Sequence, residues 1–420
     1  MSTESPETPL ALSAREVLAS PAVSAFLVSQ FVITVGVMMQ AATLGKHVFD
    51  ITGNEVDIGW LGLAEFLPAA ALVLVTGIIA DHFNRKYVAI IGLIGEMLCS
   101  VALVLYARSD PTSTTPMFII AVFFGASRAF MAPSIRSIAP MIAPAGGLPR
   151  VVAMYSATWT GAAIVGPAAS GFLYSIDPSV AYGTSAVLIF VGILLLSGVA
   201  VPHDLARQKA AERPTIKHAL EGLQFVRRTP ILLAAISLDL FAVLFGGAIA
   251  LLPVIAEEQL HVGDVAYGWL RAAGGIGAAS MAIFLAMKPI TRNIGKVLLA
   301  VVGLFGAGTI VLGTTHIYAV AFLAVAVVSA ADMVSVFIRG SLVPLVTPDE
   351  KLGRVMAVEN VFIGASNELG AFESGLVASA IGTPATVVGG GIATIAIVGV
   401  WWFGFPSLRD VDRFEDLELA

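Results

Sequence analysis

The chain has 420 residues, of which 57% are hydrophobic and 12% charged, with a formal net charge of −6. Soluble domains carry about 25% charged residues, so a water-soluble fold is excluded and the bilayer acts as the solvent. One cysteine, Cys99, excludes an intrachain disulfide and a cysteine-built metal site, and the six histidines are too scattered for a metal constellation.

The polar N-terminus lacks a short apolar core with a small-residue cleavage site, and reads as a tail rather than a signal peptide. Twelve runs then approach the about 20 apolar residues that a spanning helix needs. They are Ala22–Leu44, Ile58–Ala80, Tyr87–Ala107, Met117–Arg136, Val151–Ser175, Tyr182–Val201, Ile231–Ile255, Ala266–Met287, Val297–Gly313, Ile317–Val346, Val355–Ile381 and Ala385–Phe405. Prolines and charges interrupt the fourth, fifth, tenth and eleventh. Between the sixth and seventh lies the longest loop, Pro202 to Thr229. Within it Ile216, Leu220 and Leu223 share a helical face, with Lys217, Glu221, Arg227 and Arg228 around the rest. That pattern predicts a short amphipathic helix on the membrane surface. The predicted organisation is a tail (1–21), a six-helix bundle (22–201), a linker (202–229), a second six-helix bundle (230–405) and an acidic tail (406–420): an all-α integral membrane protein.

Lysine and arginine set the orientation. Loops on one side hold Arg85, Lys86, Arg150, the basic residues of the linker, Lys288, Arg292, Lys296, Lys351 and Arg354. The other side holds little beyond Lys46 and Arg108. The basic side is expected in the cytoplasm, with both termini there and the cell's inner membrane as the location.

The two halves are related. Ser137, Pro140, Pro144, Leu148, Arg150, Val151, Ala153, Gly166, Ser170 and Gly171 recur 204 residues later as Ser341, Pro344, Pro348, Leu352, Arg354, Val355, Ala357, Gly370, Ser374 and Gly375 (344 − 140 = 204). A duplicated membrane chain with a site between its halves is the architecture of a secondary transporter.

The loop after the second run reads Gly77-Ile78-Ile79-Ala80-Asp81-His82-Phe83-Asn84-Arg85-Lys86. A carboxylate at that depth is tolerable only when paired or capping a helix, and breaking such a contact would open a gate. This decapeptide resembles the signature loop of the major facilitator superfamily: Gly77, Asp81, Arg85 and Lys86 match, while Ile79, His82 and Asn84 depart from it. The segments Gly125-Ala126-Ser127-Arg128, Ala132-Pro133-Ser134 and Gly166-Pro167-Ala168-Ala169-Ser170-Gly171 look like the branch containing the enterobactin exporter and related drug and siderophore exporters. So do Glu65-Phe66-Leu67-Pro68 and Pro348 to Arg354. Within the fifth run, Gly166, Pro167 and Gly171 match part of the antiporter pattern of that superfamily, with Ala162 and Ser170 replacing two of its glycines. Helix packing alone is the competing reading of the same residues.

Charge inside the bilayer carries the remaining signal, each group costing about 2.5–3.5 kcal/mol on insertion scales. The embedded charges are Glu65, Glu96, Arg128, Asp239, Arg271, Asp332, Arg339, Glu359, Glu368 and Glu373. Asp239, Glu65 and Asp332 are candidates for proton coupling, with static pairing of Asp239 to Arg128 or Arg271 as the alternative. The resemblance implies a cavity lined by helices 1, 4, 7 and 10, which places Arg128 and Arg339 there. Gln30, Gln40, Asn367 and Glu368 are further cavity candidates. Trp159, Tyr267 and Trp269 offer faces for a flat ligand, or form part of an interfacial belt with Trp401 and Trp402. Glu96 has no evident role.

The expectation is a proton-coupled exporter of an amphipathic small molecule, working as a monomer by alternating access. Its partners would be lipid, substrate and protons, with no cofactor, metal or nucleic acid. An importer or lipid transporter of the same fold is the alternative. A polytopic enzyme is disfavoured because no nucleophile, metal set or catalytic dyad converges, and a sensor because the tails are short.

Overall fold

The computed structural model describes the backbone of residues 13–201 and 216–417, and side chains there except those of residues 73–75, 77–82 and 216–219. Twelve long helices follow one another among these residues. They are α1 (Pro21–Thr52), α2 (Glu55–His82), α3 (Arg85–Ala107), α4 (Thr115–Ile142), α5 (Leu148–Tyr174), α6 (Pro178–Gly198), α7 (Pro230–Gln259), α8 (Asp264–Met287), α9 (Ile294–Thr314), α10 (Tyr318–Val346), α11 (Asp349–Ile381) and α12 (Thr383–Gly404). Turn chemistry sets their ends. Gly53 closes α1 at φ 59°, a left-handed cap. Asn84 and Asp177 accept N–H bonds from Lys86 and Ser179 at the starts of α3 and α6.

Some boundaries differ from the sequence pattern. α1 continues two turns beyond Leu44, because Lys46, His47 and Asp50 find partners within the protein. α7 is α-helical only to Phe245. Gly246, Gly247 and Pro253 then break it into a 3-10 turn, a short α-turn and a π-turn over Ile255–Gln259.

The packing repeats with a period of six helices. α1 packs on α5 and α6, α2 on α4, and α3 on α4 and α6; likewise α7 packs on α11 and α12, α8 on α10, and α9 on α10 and α12. Two bundles result, each with its own apolar core. They meet along two seams, α2 against α11 and α5 against α8. Among the described residues, nine helices are long and apolar enough to cross a membrane. α2, α5 and α11 run 28, 27 and 33 residues and carry the seam glycines Gly59, Gly171 and Gly375. The chain is a multi-pass membrane protein.

Glycine makes the seams close. A Cβ on Gly268 of α8 would stand 2.6 Å from the Pro167 carbonyl oxygen and 2.7 Å from Cα of Gly171, both on α5. A Cβ on Gly59 of α2 would stand 2.8 Å from Cα of Phe372, and one on Gly375 2.6 Å from the Glu55 oxygen. Gly171 and Gly375 are the repeat-related glycines, so the duplicated motif ends at one seam in each half.

The linker forms the expected helix over Ile216–Arg228, and residues 202–215 lie outside the described residues. This helix docks on the start of α11, where Arg354 donates to Glu221 at 2.6 Å and the Lys351 ammonium lies 4.6 Å from the Phe225 ring centre. The acidic C-terminal segment folds back on α9: Leu408 and Val411 are buried, and Gly295 N–H donates to the Val411 carbonyl at 3.1 Å. Asp412 accepts from the Asn293 N–H and from Arg292, which hold its carboxyl below the usual range.

The seam contact has a direct test. Gly268→Ala forces the bundles apart and is expected to lower the melting temperature in detergent, at a cost of about 1–3 kcal/mol. Gly340→Ala, with nothing within 4 Å of its Cβ, is the matched control and should leave stability level or raise it.

Candidate functional site

Three layers of charge follow one another along the bundle axis. The first closes the end opposite the basic loops. Lys46, on α1 and 7% exposed, donates to Glu257 of α7 at 2.8 Å, pairs with Asp264 of α8 at 3.6 Å and contacts Asp50 one turn along its own helix. Tyr174 of α5 donates to Asp50 at 2.5 Å. Tyr267 of α8 donates to the Ala42 carbonyl at 3.1 Å. One ammonium of the first bundle therefore holds two carboxylates of the second. Beneath it Phe49 and Ile58 pack with Leu251, Leu252, Ile255 and Leu270, a dry plug that shuts this end.

The second layer lies near mid-span, where the bundles face each other. Arg128 of α4 is exposed to the intervening space and Glu65 of α2 is half-buried. Glu368 of α11 crosses toward α2: a Cβ on Gly62 would stand 2.6 Å from its Oε2. Asp332 of α10 is half-buried and, among the described residues, has no ion-pair partner. Arg271 donates to the Tyr267 hydroxyl at 3.3 Å. Among the described residues Arg128 also has no carboxylate within ion-pair distance, so its guanidinium is open to an anionic or polar group.

The third layer lies toward the basic end, inside the second bundle. Arg339 of α10 donates through Nη2 to Asp239 of α7 at 2.7 Å, through Nη1 to Glu359 of α11 at 3.4 Å and through Nε to Ser335 at 3.4 Å. All three ionised side chains are under a tenth exposed. The guanidinium fork suits this bridging role, since its planar donors reach two helices at once. With one cation against two carboxylates, the triad becomes neutral when a single proton is added. Asp239 is thus paired, as anticipated, but to Arg339 rather than to Arg128 or Arg271.

Other anticipated residues fall elsewhere. Gln30 and Gln40 are buried inside the first bundle at 2% and 1% exposure, away from the intervening space. Asn367 is exposed and donates to the Ile363 carbonyl at 2.8 Å. Tyr267 is 1% exposed and bonded at the bundle contact, so it is no belt residue, and Trp401 donates to the Ala234 carbonyl at 3.0 Å. Gly166 brings α5 onto α1, where a Cβ would stand 2.7 Å from Cβ of Met38. Pro167 and Gly171 sit at the α8 seam, so all three motif residues serve close packing. In the signature loop Lys86 donates to the Ser197 and Val199 carbonyls at 2.6 and 2.7 Å, and Arg85 begins α3. The surroundings of Gly77 and the side chain of Asp81 lie outside the described residues. Sequence reasoning missed Lys46, taken as a loop residue; its signal was Asp50 four residues on, an in-helix pair. Among the described residues no group of His, Cys, Asp or Glu is placed to hold a metal.

A twelve-helix membrane bundle of two related halves, closed at one end over buried charges, has the architecture found in secondary transporters. Residues 26–371 match the Major Facilitator Superfamily, and the chain belongs to that family. It is 25% identical over 283 residues to the uncharacterized MFS-type transporter YfiS of Bacillus subtilis, covering 65% of this chain and 63% of that one. It is also 25% identical over 233 residues to the uncharacterized MFS-type transporter y4rN of Sinorhizobium fredii, covering 54% and 57%. The chain thus spans about three fifths of the length of these relatives. Among solved structures it superposes on the nucleoside transporter NupG (TM-score 0.70, 15% identity, 90% of this chain and 98% of that one). It superposes equally on a D-xylose-proton symporter (0.70, 13%, 94% and 99%) and on a bacterial homologue of the lysosomal transporter Spinster in an inward-facing, unoccupied conformation (0.71, 14%, 93% and 98%). At such identities these likenesses show the fold alone.

Two substitutions test the layers. Lys46→Gln leaves Asp50, Glu257 and Asp264 without their cation and should cost the closed end about 1–3 kcal/mol. Spin labels at positions 51 and 261, in a Cys99→Ser background, should then show a longer mean distance by pulsed electron resonance. Arg339→Leu leaves two buried carboxylates unpaired and should cost about 3–5 kcal/mol. Adding Asp239→Asn and Glu359→Gln to Arg339→Leu should recover part of the lost melting temperature.

Proposed function

We propose that the protein exports an amphipathic small molecule, siderophore-like or drug-like, by alternating access driven by inward proton flow. In this reading it acts as a monomer in the inner membrane, with its basic end and both termini in the cytoplasm. The observation that carries the proposal is the buried triad of Asp239, Arg339 and Glu359. One proton changes its net charge, and it joins three helices of the half that must move against the other. A carboxylate that exchanges a proton for a guanidinium contact couples protonation to helix position. With the basic end cytoplasmic, the end shut by Lys46 faces outward, and the space around Arg128, Glu65, Glu368 and Asp332 is the loading site for a cytoplasmic substrate. The likeness of Gly125 to Arg128, of Ala132 to Ser134 and of Gly166 to Gly171 to drug and siderophore exporters supports export.

The test uses inside-out vesicles with an acidic lumen and an internal pH dye, challenged with catecholate siderophores, cationic dyes and antibiotics. A luminal pH rise with one compound, abolished in Asp239→Asn, is the expected result and identifies the substrate class. A rise with many compounds marks a multidrug pump. Silence across the panel with folded protein overturns proton-driven export of these classes in favour of import or lipid transport.

A further inference from the structure

Glu96 is the carboxylate that the exporter reading leaves unused. It stands at the middle of α3, eleven residues from Arg85 and eleven from Ala107, so about 16 Å of helix separates it from either end. Its side chain is 0% exposed, and neither carboxyl oxygen has a hydrogen-bond partner. A second orphan lies on the facing helix: the Gln40 amide oxygen accepts from Ser100, one turn beyond Glu96, while its Nε2 has no partner.

The groups facing Glu96 are few. α4 contributes Arg128, and Ser127 packed against Gly95; α2 contributes Glu65. α3 itself adds Cys99, α1 adds the uncharged Gln40, and the only titratable side chain of α6, Tyr182, is bonded to His47. Among the described residues Arg128 supplies the one cation, and it makes no ion pair with Glu96 in this conformation. An ionised carboxylate at this place has neither a donor nor a contacting counter-ion, whereas a protonated one has no charge to desolvate. A conformation that carries Glu96 this deep is therefore a conformation that carries its proton.

We propose that Glu96 is a proton-binding site of the first bundle, still occupied when the Lys46 end has closed and emptied toward the basic end. On release, the O–H bond of Glu96 breaks, its electron pair stays on the carboxylate, water takes the proton as hydronium, and Arg128 becomes the counter-ion. The site deepens the proton-coupled reading, on which its purpose rests; its occupancy can be read without any substrate.

The experiment is infrared spectroscopy of the full chain in liposomes at neutral pH. The parent should show the carbonyl stretch of a buried protonated carboxyl. That band should vanish in Glu96→Gln and move in Glu96→Asp, which keeps a carboxyl but withdraws it by one methylene. If Glu96→Gln does not fold, the Glu96→Asp displacement carries the assignment. The band should also shrink as the pH is raised, and in Arg128→Gln, which removes the counter-ion of the released carboxylate, that loss should move to higher pH. Loss of ionised-carboxylate bands in Glu96→Gln, with the protonated band unchanged, overturns the site. A loss at the same pH in Arg128→Gln overturns Arg128 as the counter-ion of release. Failure of the exporter reading appears separately, as a parent that moves no protons with any compound yet keeps the Glu96 band.

Discussion

The structure depends on two places where backbones touch without side chains between them. At Gly171 against Gly268, and at Gly59 against Gly375, helices of opposite bundles approach so closely that a single methyl group has no room. Lipid offers no hydrophobic drive for one apolar helix to join another, so close van der Waals contact between small residues must supply the adhesion. Both contacts lie toward the end that Lys46 closes.

Desolvation decides how charge is distributed around those pivots. Lys46 is buried only because three carboxylates and the Tyr174 ring surround it. Arg339 is buried only because Asp239, Glu359 and Ser335 take its donors. By contrast, among the described residues Arg128 and Asp332 lack such partners, and they are less enclosed, Arg128 exposed and Asp332 half-buried. The same cost of bare charge in low dielectric thus pairs the buried groups and leaves the unpaired ones where they are less enclosed.

The legible part of this protein was its periodicity. Twelve apolar runs, the basic asymmetry and the 204-residue repeat led to two six-helix bundles, and the linker helix followed from the spacing of Ile216, Leu220 and Leu223. Partner choice was not legible, because it depends on which faces meet in three dimensions. Asp239 and Arg339 stand one hundred residues apart (339 − 239 = 100) and no pattern in either helix announces their contact. Lys46 was hidden for another reason: apolarity fades after Leu44, which reads as the end of a span, yet the helix continues because its polar residues are met by protein. Glu96 was visible as a charge in a span but not as an orphan, since the absence of a partner is a property of its neighbours.

The repeat explains why one half holds the buried pair network. Within α4 and α10 the 204-residue step relates Arg128 to Asp332 and Ile135 to Arg339, and within α5 and α11 it relates Tyr155 to Glu359. The backbone is thus shared while the chemistry is not. The first half has an apolar and an aromatic side chain where the second has two members of its triad. At mid-span the two halves present opposite charges at equivalent positions. A symmetric scaffold with symmetric charge would have equivalent reasons to tilt either way. Opposite charge at equivalent sites gives the two halves different electrostatic surroundings on a shared backbone plan.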